Sequence, residues 1–376
     1  MVSTSGNSRP DSVEEALKEA GEVLLDDDRG LRTLLYRDML LNALKCRRDE
    51  LDILDLKIIS RAVADFRHAA CVFKPYRGIR KVSMFGSART ADGTPDYELA
   101  VRMGRLLAQS GYMVITGAAE GIMKAGIEGA GAENSFGVKL LLPFENSPAK
   151  IIEKDPKLVR FKYFFTRKIF FVMEADAIAL FPGGFGTHDE GFEVLTLLQT
   201  GKAPPMPVAL LELPGDGYWE SWDRFIKEHL LVRGFVSRED LSFYRIFHSA
   251  EEARDWIMTY YSTYHSMRQV ADRLVVRLEH ELPDEGIRQL NEAFPDLLGG
   301  GEVHKSSALA EEEDEPGLLS KPRIVFPYDR KHAGRLNEMV LMINSLGRTA
   351  RGLGAGAMSE ADFVAHEPAD AIAARR

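Results

Sequence analysis

Apolar residues recur at helical spacings from residue 12 to residue 73. Leu17, Val23, Leu24, Leu31, Leu34, Leu35, Met39, Leu40 and Leu44 fall there with charges between them, which predicts two to four helices. The pattern changes at Tyr76. Short apolar runs, each closed by a glycine or followed by a helical stretch, predict strands over 80–85, 112–116, 136–142, 158–164, 177–181 and 207–211. Helices are predicted over 96–110, 121–131, 166–175, 187–199 and 218–231. Small residues in the helix over 121–131 suggest close packing on a sheet. Strands alternating with helices predict a parallel sheet covered on both faces. Ligands of such sheets bind at the carboxyl ends of the strands. Gly86, Gly117, Gly183 and Gly184 all fall at those ends.

The pattern changes again near Met267. Strands over 274–278 and 323–326 and helices over 283–294 and 330–345 suggest a small α+β region. The acidic run 311–315 reads as a solvated loop. The expected organisation is a helical region (1–75), a Rossmann-like, doubly wound α/β core (76–265), a small α+β region (266–348) and a mobile tail (349–376). Residues 1–10, rich in Ser, Gly, Asn and Pro, read as disordered.

Composition narrows the function. The chain has 376 residues, enough for two domains. Its net charge of −9 argues against wrapping nucleic acid. The two cysteines form no disulfide framework and fit a reducing cytoplasm. No apolar run is long enough for a membrane span, and residues 1–10 lack a signal-peptide pattern. No His-Glu-x-x-His or Cys-x-x-Cys spacing occurs, so a metal site has no support in the sequence.

The most informative segment is Asp176 to Glu190. A buried strand runs into Gly183, Gly184 and Gly186 and then directly into a helix. Glycines can take positive φ and let the backbone approach a ligand. Free N–H groups at the start of the helix attract an anion. The Thr187 hydroxyl could cap the helix and donate to a phosphate. A plain strand-to-helix turn explains the same residues, with Glu190 as an acid of the first helical turn.

Four motifs together resemble the Lonely Guy (LOG) family of phosphoribohydrolases, often labelled lysine decarboxylases. Pro182-Gly183-Gly184-Phe185-Gly186-Thr187-His188-Asp189-Glu190 matches the pattern P-G-G-x-G-T-x-x-E. Arg167-Lys168 stands 23 residues before it, counting from Arg167 to Glu190. Gly117-Ala118-Ala119-Glu120-Gly121-Ile122-Met123 is similar to a glycine-rich segment of the family. Phe85-Gly86-Ser87-Ala88 is similar to the end of its first strand. The resemblance covers roughly residues 76–260. Ala118 and Ala119 stand where glycines are common, and their methyl groups are expected to narrow the pocket.

The resemblance implies hydrolysis of a nucleoside 5′-monophosphate to a free base and ribose 5-phosphate, with no cofactor or metal. Glu190 and Arg167 are then the catalytic residues. Gly86, Ser87, Lys168, Gly183, Gly184, Gly186 and Thr187 would bind the substrate. It also implies a homodimer or higher homo-oligomer. Ser87 reads equally well as a turn residue, Glu120 as solvated, Met123 as core and His188 as packed. A non-catalytic nucleotide-binding regulator is the alternative. A dinucleotide-dependent dehydrogenase ranks last, because the Gly117 turn lacks G-x-G-x-x-G.

Overall fold

The computed structural model describes residues 13–26, 29–141 and 150–354. The chain divides into two compact units, residues 1–64 and 65–376. The first ten residues and most of the tail, for which disorder and mobility were expected, lie outside the described residues.

In the first unit the helical spacing is realised as α1 (Val13–Leu25), α2 (Leu31–Arg48) and the start of α3 (Ile53–Phe73). Arg37 Nε donates to the Val23 carbonyl at 3.2 Å and ties α1 to α2. The apolar stripe is not a core: Leu17, Leu31, Leu35, Met39 and Leu44 are exposed.

The second unit contains the expected parallel sheet. In chain order its elements are β1 (Lys81–Phe85), α4 (Pro95–Gln109), β2 (Met113–Thr116), α5 (Ile122–Ala130), β3 (Ser135–Leu140) and β4 (Leu158–Phe161). They continue with α6 (Phe164–Met173), β5 (Ala177–Leu180), α7 (Phe185–Gln199), β6 (Val208–Leu211), α8 (Tyr218–Phe225), β7 (Tyr244–Phe247) and α9 (Ala250–Tyr260). The strand order is β4-β3-β2-β1-β5-β6-β7, with every pairing parallel. The order reverses between β1 and β5, which creates a crevice at their carboxyl ends.

Alternate residues of the strands feed two cores, one on each face. Ile178 and Leu180 of β5 join Phe170 and Phe171 of α6 and Val194 and Leu198 of α7 on one face. Ala177 and Ala179 join residues of α4, α5 and α9 on the other. The small residues of α5 serve helix packing more than the sheet. A methyl at Gly129 would lie 2.0 Å from the Val101 carbonyl oxygen, and one at Gly104 would lie 2.4 Å from the Gly126 carbonyl oxygen. Backbones of α4 and α5 touch only because these positions are bare.

A second sheet, β10-β11-β9-β8, is antiparallel. It comprises β8 (Tyr264–Val270), β9 (Arg273–Leu278), β10 (His304–Ser306) and β11 (Arg323–Pro327), and it packs on α10 (Asp284–Ala293) and α11 (Ala333–Ala350). The acidic run beside it is not wholly solvated. Glu312 is buried between Arg277 and Arg323, accepting from Arg277 Nε at 2.8 Å. Its cationic partners come from two strands remote in sequence, so local charge density misleads there. No helix among the described residues is long and apolar enough to cross a membrane.

Candidate active site

The crevice between β1 and β5 opens into a cavity of ≈ 790 Å³. That is a volume suited to a nucleotide-sized ligand. Its walls bring together the ends of β1 (Phe85 to Arg89), the turn after β2 (Gly117, Ala119, Met123), α6 (Phe164, Arg167, Phe171) and the loop and first turns of α7 (Gly183 to Glu190). The four sequence motifs therefore meet at one place.

The glycine loop is built for closeness rather than for unusual handedness. None of Gly183, Gly184 and Gly186 has positive φ. A methyl at Gly183 would fall 2.1 Å from Thr187 Oγ1 and 2.9 Å from the Ser87 nitrogen. Around Gly184 and Gly186 there is open space, so ligand atoms can reach the backbone. Helix α7 begins at Phe185 with Gly184 at its N-cap, and no side chain caps it. Thr187 is thus within the helix rather than its cap. The N–H groups of Phe185 and Gly186 have no preceding intrahelical carbonyl to bond, which leaves this end suited to an anion.

The loop is held from both sides. The Ser87 N–H donates to the Pro182 carbonyl at 3.1 Å, and the Ser87 carbonyl accepts from Ile122 N–H at 3.1 Å. The Ser87 hydroxyl accepts from Arg89 N–H at 3.0 Å, a turn role that still leaves the residue on the cavity wall. On the other side Tyr218 Oη donates to the Gly183 carbonyl at 2.5 Å and lies 2.7 Å from His188 Nε2. The His188 ring lies parallel to Tyr218 and edge-on to Trp219. Burial lowers its pKa. His188 supports the loop from a packed position, as its sequence context suggested, and its edge reaches the cavity wall.

Glu190 and Arg167 face each other across the cavity wall. Arg167 Nη2 is 3.7 Å from Glu190 Oε1. The Arg167 guanidinium also lies over the rings of Phe164 and Phe171, 5.1 and 5.5 Å from their centroids. Because α7 starts at Phe185, Glu190 is in the second helical turn and buried, not an acid of the exposed first turn. Burial raises its pKa above the ordinary carboxylate value, against the opposing pull of Lys168 and Arg167.

Lys168 departs from its expected role. It does not line the cavity. Its ammonium sits behind Glu190, 2.8 Å from Asp189, 3.3 Å from Glu190 and 2.6 Å from Glu193. Burial acts to lower its pKa, but hydrogen bonds to Asp189 and Glu193 and the charge of Glu190 outweigh that and raise it. Three further expectations meet the structure here. Ala118 takes φ of 52° and turns its methyl into a buried cluster with Ile127, Ile152 and Leu158. Only Ala119 of the pair narrows the cavity. Met123 lines the cavity rather than only the core, and Glu120 is solvated beside Lys124. Sequence reasoning passed over Arg89, a cation at the cavity wall. Its position just after Phe85-Gly86-Ser87-Ala88 was the available signal.

A family model described as possible lysine decarboxylase matches residues 116–257, from the end of β2 into α9. The resemblance to the LOG family holds over this span. A cytokinin riboside 5′-monophosphate phosphoribohydrolase of Arabidopsis thaliana is 28% identical over 160 residues, 42% of this chain and 73% of that protein. A probable enzyme of the same name from Oryza sativa subsp. japonica is 29% identical over 163 residues, 42% of this chain and 63% of its own length. Among solved structures, the molybdenum cofactor carrier protein of Chlamydomonas reinhardtii aligns with 48% of this chain and 96% of its own, at 18% identity and a TM-score of 0.35. DNA processing protein A of Helicobacter pylori aligns with 48% and 82%, at 14% identity and a TM-score of 0.34. The matched segment thus carries the glycine loop, Arg167 and Glu190, while β1 with Gly86 and Ser87 precedes it.

Proposed function

We propose that the LOG-type core hydrolyses the N-glycosidic bond of a nucleoside 5′-monophosphate. The observation that carries this reading is a buried carboxylate, Glu190, set beside Arg167 on the wall of a cavity whose other wall is a helix N-terminus. The 5′-phosphate sits at Gly184 to Gly186, on the N–H groups of the first turn of α7. The ribose then lies toward Glu190 and Arg167, and the base toward Ala119, Met123 and Phe164.

The bond between C1′ and the base nitrogen breaks with its electron pair going to the base. Positive charge builds on C1′ and the ring oxygen, as in glycoside hydrolysis. The Glu190 carboxylate, itself buried, stabilises that charge more strongly than a carboxylate in bulk solvent does. Water adds its oxygen to C1′, and one proton goes to the base. The products are a free base and ribose 5-phosphate. Arg167, 3.7 Å from Glu190, favours its ionised form through its charge.

Amino-acid decarboxylation fits poorly. A Schiff base needs a lysine that can lose its proton. No lysine lines the cavity among the described residues, and Lys168 is held charged by three carboxylates.

The test is incubation of the full chain with AMP, GMP, CMP, UMP and isopentenyl-AMP, with base and ribose 5-phosphate separated by chromatography. Release of base with equimolar ribose 5-phosphate from at least one nucleotide is expected. Binding of nucleotides without release from any of them would contradict hydrolysis and favour a regulatory nucleotide-binding role.

A further inference from the structure

A second polar group lies at the carboxyl ends of β6 and β7, outside the nucleotide cavity. Glu212 directly follows β6, His248 directly follows β7, and Glu220 is in the first turn of α8. One carboxylate oxygen from each glutamate and one ring nitrogen of His248 lie within 4.8 Å of one another. His248 Nε2 is 3.8 Å from Glu220 Oε1.

Glu212 is the telling member. Its side chain is fully buried. Oε2 accepts the Trp219 N–H at 2.6 Å, so the N-terminus of α8 accounts for that oxygen. Oε1 is buried with no hydrogen-bond partner among the described residues. A buried carboxylate oxygen without a donor is costly and calls for a cation or a bound water. The neighbours on offer are a second carboxylate, which when ionised only accepts, and an imidazole, whose one unprotonated nitrogen in the neutral form can ligate a cation.

We propose that Glu212, Glu220 and His248 bind one divalent first-row transition-metal ion. Two carboxylates and one imidazole suit Zn²⁺, Mn²⁺ or Co²⁺ better than Mg²⁺ or Ca²⁺, which favour all-oxygen sets. Bonds of about 2.0–2.2 Å require ligand atoms about 3–4 Å apart. The half-exposed side chains of Glu220 and His248 have the freedom to close that far, while Glu212 is fixed. The bound ion cross-links the first turn of α8 to the ends of two strands. Tyr218 in that same turn holds Gly183 of the phosphate loop, so the ion steadies the loop's support. Residues 8 and 28 apart along the chain from Glu220 make no recognisable spacing motif, which is why the sequence offered no sign of the site.

The full-length protein is stripped with a chelator and titrated with Co²⁺, read by its visible absorption, and with Zn²⁺ by calorimetry. His248→Ala and Glu220→Gln are run in parallel, with His304→Ala as a control. Both ligand variants alter exposed side chains, so thermal melting without metal checks that they remain folded. One ion per chain is expected. Its affinity should fall about 10–100-fold or more in each ligand variant and remain unchanged in His304→Ala, with excess Mg²⁺ failing to displace it. No binding, or binding of equal strength in wild type and both ligand variants, overturns the proposal. Displacement by Mg²⁺ overturns the metal class.

Discussion

At the scale of single residues, the site turns on how Glu190 is kept charged. Burial pushes its pKa up, and Lys168 and Arg167 pull it down. In the proposed reaction the oxocarbenium-like charge is met by the carboxylate form of Glu190, so activity should be lost as pH falls through the folded pKa. The acid limb of kcat/KM is therefore expected above pH 4.5 (the ordinary value). Lys168→Met removes one lowering charge and should move that limb to higher pH. A limb that stays in place in Lys168→Met would contradict the role assigned to Lys168 as the partner behind Glu190. The spacing from Arg167 to Glu190 was legible in the sequence through the family resemblance, although the strands that precede their two helices, β4 and β5, are not neighbours in the sheet. The inward or outward aim of Lys168 was not legible: it depends on Asp189 and Glu193 converging on it across two helices.

At the scale of elements, bare glycines set the distances between helices and loops. Gly129→Ala forces a methyl to within 2.0 Å of the Val101 carbonyl oxygen and 2.9 Å of the Arg105 nitrogen. Overpacking of this kind costs about 1–3 kcal/mol or more. A lower Tm is expected for Gly129→Ala, whereas Gly184→Ala, with open space around it, should melt like wild type. Equal Tm values for the two variants would remove the close α4–α5 contact from the account. Strong apolar runs made β1, β2, β3, β5 and β6 readable. β8 was not readable, because Tyr264-His265-Ser266-Met267-Arg268-Gln269-Val270 has neither a continuous apolar run nor clean alternation, and most of it is only partly buried. β10 has three residues and owes its existence to its pairing with β11.

At the scale of the whole molecule, the second sheet is fastened by charge as well as by its apolar core. Arg277, Glu312 and Arg323 have side chains exposed by only 2%, 1% and 0%. Removing the central anion leaves, among the described residues, Arg277 with Glu315 as its remaining carboxylate and Arg323 with backbone carbonyls alone. Glu312→Gln should cost about 3–5 kcal/mol of stability, measured by urea unfolding at neutral pH. A loss within experimental error would show that the network is solvated in solution. The fold class was legible from alternation of strands and helices, and so was the position of the glycine turns at strand ends. That β1 and β5 are neighbours at the point where strand order reverses is a long-range fact. It is what converts four separate motifs into one cavity.

The most direct measurement compares Glu190→Gln with wild type for both binding and turnover of the preferred nucleotide. The amide keeps the shape of the side chain and removes its charge. A kcat lower by about 10²–10³-fold or more, with nucleotide affinity retained by calorimetry, is the predicted result. Turnover unchanged by Glu190→Gln would contradict the central claim that this buried carboxylate stabilises the charge developed on the ribose.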